Sequence, residues 1–224
     1  MGQGYRPDYR LPTADFSRKA PNLRSEVLSL KSGSYIIDAM KLRLVYYPDP
    51  MLRKAAAPIK EVSKELREAV PQMFELMYGH RGIGLAGPQA GVAQRIVVAN
   101  IFGDPKKKEE EKVFINPEIL DRGGVMTEEE GCLSLPGLSA KIRRNAWVKV
   151  RYRDLDGQSW EIEADGLWAK LFQHEVDHID GLLMVDKMSA ADLKQWRPLL
   201  QELEEDHAAK REPARKRSRQ AAEL

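Results

Sequence analysis

The chain of 224 residues has a single cysteine, Cys132, so no intramolecular disulfide framework holds it together. No apolar run approaches the length of a membrane span. The net charge is only +2, too small to mark a nucleic-acid binder by itself. Residues 1–39 lack the apolar core of a secretory signal, and Arg6 breaks the myristoylation pattern that Gly2 would open. What the chain does have is 42% hydrophobic residues, enough to bury one good core. These features describe a soluble, cytoplasmic protein with one domain and appendages.

The segment Gln173-His174-Glu175-Val176-Asp177-His178 contains His-Glu-x-x-His. Leu167, Leu171, His174 and His178 follow spacings of four, three and four, so both imidazoles continue an apolar helical stripe and point inward. Asp165 before the stripe and Gly181 after it bound a short buried helix. Inward-facing imidazoles need a partner, and a metal ion is the economical one. Glu175, beside the first histidine, is placed to handle the proton of a water activated by that ion. A hydrolytic site with three protein ligands needs one more from elsewhere in the chain. By composition a lone cysteine is a small buried hydrophobe. Gly131 before Cys132 and Pro136 after it instead give this segment a special shape, unlike a regular core strand.

Three separated segments resemble the signature motifs of the peptide deformylases, in the family's order. They are Gly82-Ile83-Gly84-Leu85-Ala86-Gly87-Pro88-Gln89, then Glu130 to Pro136, then Gln173 to Gly181. The similarity runs from about Met40 to about Met188, which sets the expected catalytic domain at 40–188. One departure is Gly87, where the family usually has a second alanine; it removes a methyl group from a packed loop.

The resemblance implies hydrolytic removal of the formyl group from the N-terminal formyl-methionine of nascent peptides. It makes Cys132, His174 and His178 the ligands of one divalent metal and Glu175 the proton carrier. Gln89, through its side-chain amide, and Leu133, through its backbone N–H, become the donors to the oxyanion. Thiolate and imidazole accept zinc, iron, nickel or cobalt, and the resemblance favours Fe(II). Ile83, Leu167 and Leu171 are candidates for the methionine pocket, and Gly84 for backbone pairing with an extended substrate. Asp177 turns away from the His174/His178 face and is not expected to be a ligand. A metallopeptidase would share His-Glu-x-x-His, an inactive metal-binding protein would share the ligands, and a ribosome or RNA binder is suggested by the basic C-terminus.

Gly82-x-Gly84-x-x-Gly87 also satisfies the dinucleotide-binding fingerprint, which needs a strand before it and a helix after it. Here the order is reversed. Leu66, Val70, Met73, Phe74 and Met77 recur at helical spacing upstream, and the strand-like Arg95 to Ala99 follows. No dinucleotide is expected. The glycines instead let backbone come close to a peptide.

Val148, Val150 and Tyr152 alternate with Lys149, Arg151 and Arg153, and Asp156-Gly157 signals a hairpin before Trp160-Glu161-Ile162-Glu163. Lys106 to Lys112 reads as a solvated loop between strands. Leu193, Trp196, Leu200 and Leu203 suggest a C-terminal helix over 189–207, with Pro198 as a kink point. Arg211, Arg215, Lys216, Arg217 and Arg219 make a basic tail over 208–224, read as disordered and able to contact the ribosome. Residues 1–39 read as a disordered extension, a mis-called start or, least well, an organellar transit peptide, because Asp8, Asp15, Glu26 and Asp38 are out of place in the last. The expected fold is α+β, with antiparallel β-sheets around the buried His-Glu-x-x-His helix and a C-terminal helix.

Overall fold

Ile96-Val97-Val98-Ala99 is a continuous apolar run, and a strand of that kind must be covered on both faces. The computed structural model, which describes residues 42–222 and side chains as far as Lys210, covers it with a helix on each side. Strand β2 (Ile96–Ala99) lies between β1 (Gly84–Ala86) and β3 (Lys112–Gly123) in a five-stranded antiparallel sheet that β6 (Trp147–Arg153) and β7 (Ser159–Asp165) complete, in the order β1-β2-β3-β6-β7. Helix α1 (Lys64–Gly79) packs Leu66, Val70, Met73 and Met77 against the side bearing Ile96 and Val98. Helix α2 (Gly166–Ile179) packs Leu171, Phe172 and Val176 against the side bearing Val97 and Ala99. Ser63 caps α1 by accepting a hydrogen bond from the Leu66 N–H. Asp165 occupies the N-cap of α2, but its side chain makes no capping bond.

Strands β6 (Trp147–Arg153) and β7 (Ser159–Asp165) form the expected hairpin. Val148, Val150, Tyr152, Ile162 and Ala164 face α2 from it, and Gly157 supplies the left-handed turn residue with φ 81°. Strands β4 (Met126–Cys132) and β5 (Leu135–Arg144) make a separate two-stranded sheet. Leu135, Leu138, Ala140 and Ile142 of β5 bury against Leu183, Met184 and Val185. The stripe Leu193, Trp196, Leu200 and Leu203 on helix α3 (Ala190–Ala222) closes over the same cluster. The α+β reading, with antiparallel sheets around α2 and a helix at the C-terminus, matches this architecture.

One boundary is corrected. Helix α3 does not end at His207 but continues to Ala222, through Pro198, so 208–222 is helical where disorder was expected. Ala208, Ala209, Lys210, Ala214 and Gln220 are strong helix formers, and the helix runs on through Pro213 as it does through Pro198. Residues 1–39 lie outside the described residues, as do 223–224.

Candidate metal centre and active site

Helix α2 crosses the sheet with His174 and His178 one turn apart, and β4 delivers Cys132 from the other sheet. The Sγ of Cys132 is 3.2 Å from Nε2 of His178, which is 3.2 Å from Nε2 of His174. All three donor atoms lie within 4.8 Å of one another. Tetrahedral ligand distances imply donor-to-donor edges of roughly 3.3–3.6 Å, so this trio fits one small divalent ion. One sulfur and two nitrogens also suit such an ion chemically.

The ring of His174 is fixed from behind. Its Nδ1 lies 3.0 Å from Oε2 of Glu130, a carboxylate whose two oxygens also accept from Arg144 at 2.9 and 3.0 Å. Burial works to raise the Glu130 pKa, but the hydrogen bonds from His174 and Arg144 outweigh it and hold the group at about 2. Burial likewise opposes charge on His174, yet its contacts with Cys132 and Glu130 push its pKa well up. His178, desolvated and next to His174, is pushed well down, and its Nδ1 has no hydrogen-bond partner among the described residues. Asp177 is no ligand: it accepts from Arg144 and faces Lys187 at 3.5 Å.

Glu175 is 4% exposed, and its Oε2 has no partner among the described residues. Burial is the main cause that lifts its pKa to about 7. The Gln89 amide is oriented by its own loop: Oε1 accepts from the Ala86 N–H at 2.9 Å, which turns Nε2 toward Ser134 Oγ at 3.3 Å and Cys132 Sγ at 3.6 Å. Strand β1 lies at the end of its sheet. The carbonyl of Ile83 accepts from the Asn100 N–H across to β2, so by ladder alternation the polar groups of Gly84 point to the free edge. A Cβ at Gly84 would stand 2.5 Å from Glu175 Oε1, so only glycine lets the carboxylate sit there.

A cavity of about 800 Å³ opens at this point. It is lined by Ile83, Gly84, Gln89, Cys132, Leu133, Leu167, Leu171, His174 and Glu175, while His178 lies behind them and is 1% exposed. Every sequence-derived candidate is thus in one place. Reading from sequence missed Arg144, Ser134 and the part played by Glu130. Glu130 was within reach, since it lies two residues before Cys132 and shares its face of β4.

The model of the polypeptide deformylase family matches residues 41–194. The chain belongs to that family. Members are metal-dependent hydrolases that take the N-formyl group off new polypeptides, and the activity of this chain is the same. A peptide deformylase of Alkalilimnicola ehrlichii is 44% identical over 162 residues, 72% of this chain and 90% of that one. The crystal structure of a peptide deformylase from Plasmodium falciparum is 39% identical with a TM-score of 0.73, covering 75% of this chain and 98% of that one. A plant peptide deformylase structure is 37% identical with a TM-score of 0.74, covering 78% and 95%. No helix among the described residues is long and apolar enough to cross a membrane.

The departure of this chain at Gly87 has a structural counterpart. A Cβ there would meet the carbonyl oxygens of Gln94 at 2.5 Å and Val92 at 2.7 Å. The loop has closed into the space where a methyl group would sit.

Proposed function

We propose that Cys132, His174 and His178 hold the metal of this deformylase, that Glu175 carries the proton, and that Gln89 and the Leu133 N–H bind the oxyanion. When bound, the ion supplies positive charge that makes a water acidic enough to yield hydroxide near neutral pH. Glu175 takes the proton of the attacking water on its free oxygen and returns it to the amine nitrogen as the C–N bond breaks. Formate and a free α-amino group are left. A group with a pKa near the working pH is suited to both halves of that transfer. Gln89 exchanges its long bonds to Ser134 and Cys132 for one to the developing oxyanion, with its other end still fixed by Ala86. Ile83, Leu167 and Leu171 provide an apolar wall for the methionine side chain, and the free edge of Gly84 pairs with the substrate backbone.

The observation that carries this reading is the oxygen of Glu175 with no partner among the described residues, buried at a cavity whose wall includes Cys132 and His174, two of three converging metal donors. The test is formate release from a formyl-methionyl peptide, set against cleavage of an unformylated peptide. Formate from the first and no cleavage of the second is expected; peptide-bond cleavage would favour a metallopeptidase.

Fe(II) is the ion we assign, on the family resemblance together with a thiolate and two imidazoles that accept it. Metal analysis after anaerobic purification should find iron. An iron-loaded sample should lose activity in air faster than a nickel- or zinc-loaded one, because Fe(II) adds an oxidisable centre to the Cys132 thiolate. Equal aerobic half-lives would count against iron.

We assign the protein to the cytoplasm and its C-terminus to the ribosome. Arg211, Arg215 and Arg219 recur every four residues in the part of α3 that follows His207. Phosphate contacts would make binding fall steeply with salt. Truncation after His207 should reduce co-sedimentation with ribosomes at low salt and leave hydrolysis of a short formyl-methionyl peptide intact. Unchanged co-sedimentation would assign the basic end to solubility alone.

A further inference from the structure

Helix α1 ends in a Schellman motif built on an unusual residue. The N–H of Gly82 donates to the Met77 carbonyl at 2.9 Å, and that of Arg81 to the Tyr78 carbonyl at 3.0 Å. The residue in the left-handed position of such a motif is most often glycine, because a Cβ is unfavourable there. Here it is Arg81, with φ 59°. The neighbouring His80 is engaged, its Nδ1 2.8 Å from the Leu76 carbonyl and its Nε2 3.4 Å from the Tyr46 hydroxyl. The side chain of Arg81 has no hydrogen-bond partner among the described residues.

Two lysine or arginine side chains line the active-site cavity, Lys170 and Arg81. Lys170 is bonded to Glu128 at 2.8 Å, whereas Arg81 has no acidic partner among the described residues. Glu129, also on the cavity wall, accepts from the Ser139 hydroxyl, and Glu130 is taken up by Arg144 and His174.

The direction of a bound peptide follows from the same geometry. Gln89 and the metal donors close the cavity beyond the C-terminal end of β1, so a substrate whose N-terminus reacts there must run back along the strand. Pairing its first residue with Gly84 in an antiparallel register carries its third and fourth residues past the start of β1, toward the turn that holds Arg81 on the cavity wall.

We propose that Arg81 is a specificity residue that favours substrates with an aspartate or glutamate at the third or fourth position. The inference rests on the reading of this cavity as the formyl-peptide site. An exposed ion pair of this kind changes kcat/KM by about two- to fivefold, and salt weakens it.

The test compares formyl-methionyl tetrapeptides carrying Glu, Ala or Lys at the third or fourth position, at low and high salt. Wild-type protein should rank Glu above Ala above Lys, with the spread shrinking in high salt. Arg81→Asn, which keeps a residue that tolerates the left-handed conformation, should abolish the ranking while hydrolysis of the Ala peptide continues. Arg81→Asp should reverse it. Equal rates for the three peptides in wild type, or the same ranking in both variants, would overturn the inference and leave the deformylase assignment standing. Failure of the wild type to release formate from any of the peptides is a different result, and would overturn the reading of the cavity and this inference with it.

Discussion

His174 Nδ1 lies 3.0 Å from Oε2 of Glu130, and Arg144 holds both oxygens of that same carboxylate. The pairing sets the ring so that its other nitrogen turns toward Cys132 and His178. It also makes Glu130 the group that orients a metal ligand without being one. Arg144 carries the arrangement further, to Asp177 on the outer side of α2.

Weakening that pairing should therefore appear in metal affinity. Outer partners of ligating histidines are typically worth 10- to 100-fold in metal affinity or activity. Glu130→Gln is expected to release metal to a competing chelator about 10- to 100-fold more readily while the fold is kept. Unchanged affinity would show that packing alone fixes His174.

A second expectation concerns stability and pH. The Tyr152 hydroxyl is buried with no hydrogen-bond partner among the described residues, and its ring packs edge-on against Phe114. Burial, helped by the negative charge of Asp154, pushes its pKa up to about 12. An unfolded tyrosine titrates near 10, so the folded state holds the proton more tightly. The associated stability is full below about pH 10 and is lost as pH rises toward about 12, a change of about 3 kcal/mol. Tyr152→Phe removes an unpaired hydroxyl and should gain about 1 kcal/mol near neutral pH. It should also flatten the alkaline fall, which urea unfolding at about pH 8 and about pH 11 would reveal. A slope equal to that of the wild type would place the alkaline loss elsewhere, with Tyr47 the next group to test because its pKa is also about 12.

The closed loop at Gly87 gives a third. Gly87→Ala restores the residue usual in the family, yet its methyl group would press on two backbone carbonyls that cannot rotate away. Overpacking of this sort costs about 1–3 kcal/mol. A lower melting temperature for Gly87→Ala is expected, whereas an unchanged or higher one would mean that the loop from Val92 to Gln94 relaxes freely.

Much of this was legible in sequence because it depends on local period. The spacing of Leu167, Leu171, His174 and His178 set out the inner face of α2, and the alternation from Val148 to Tyr152 with the Asp156-Gly157 turn set out a hairpin. What was not legible depends on contacts between distant segments. No local pattern tells that Arg144, the last residue of β5, reaches both Glu130 and Asp177, or that Gln89 is held by Ala86 with its amide turned to Cys132. The length of α3 was missed for another reason. The charge of the residues after His207 points to a solvated tail, whereas Ala208, Ala209 and Lys210 favour helix.

The assignment of Glu175 as the proton carrier beside a metal held by Cys132, His174 and His178 is tested most directly by one paired measurement. Glu175→Gln should be analysed together for bound metal and for formate release from a formyl-methionyl peptide. One metal per chain is expected, as in the wild type, with turnover lowered by about 10²- to 10⁴-fold, the usual worth of a positioned acid–base group. Metal lost together with activity, or turnover close to the wild-type rate with metal retained, would contradict the assignment.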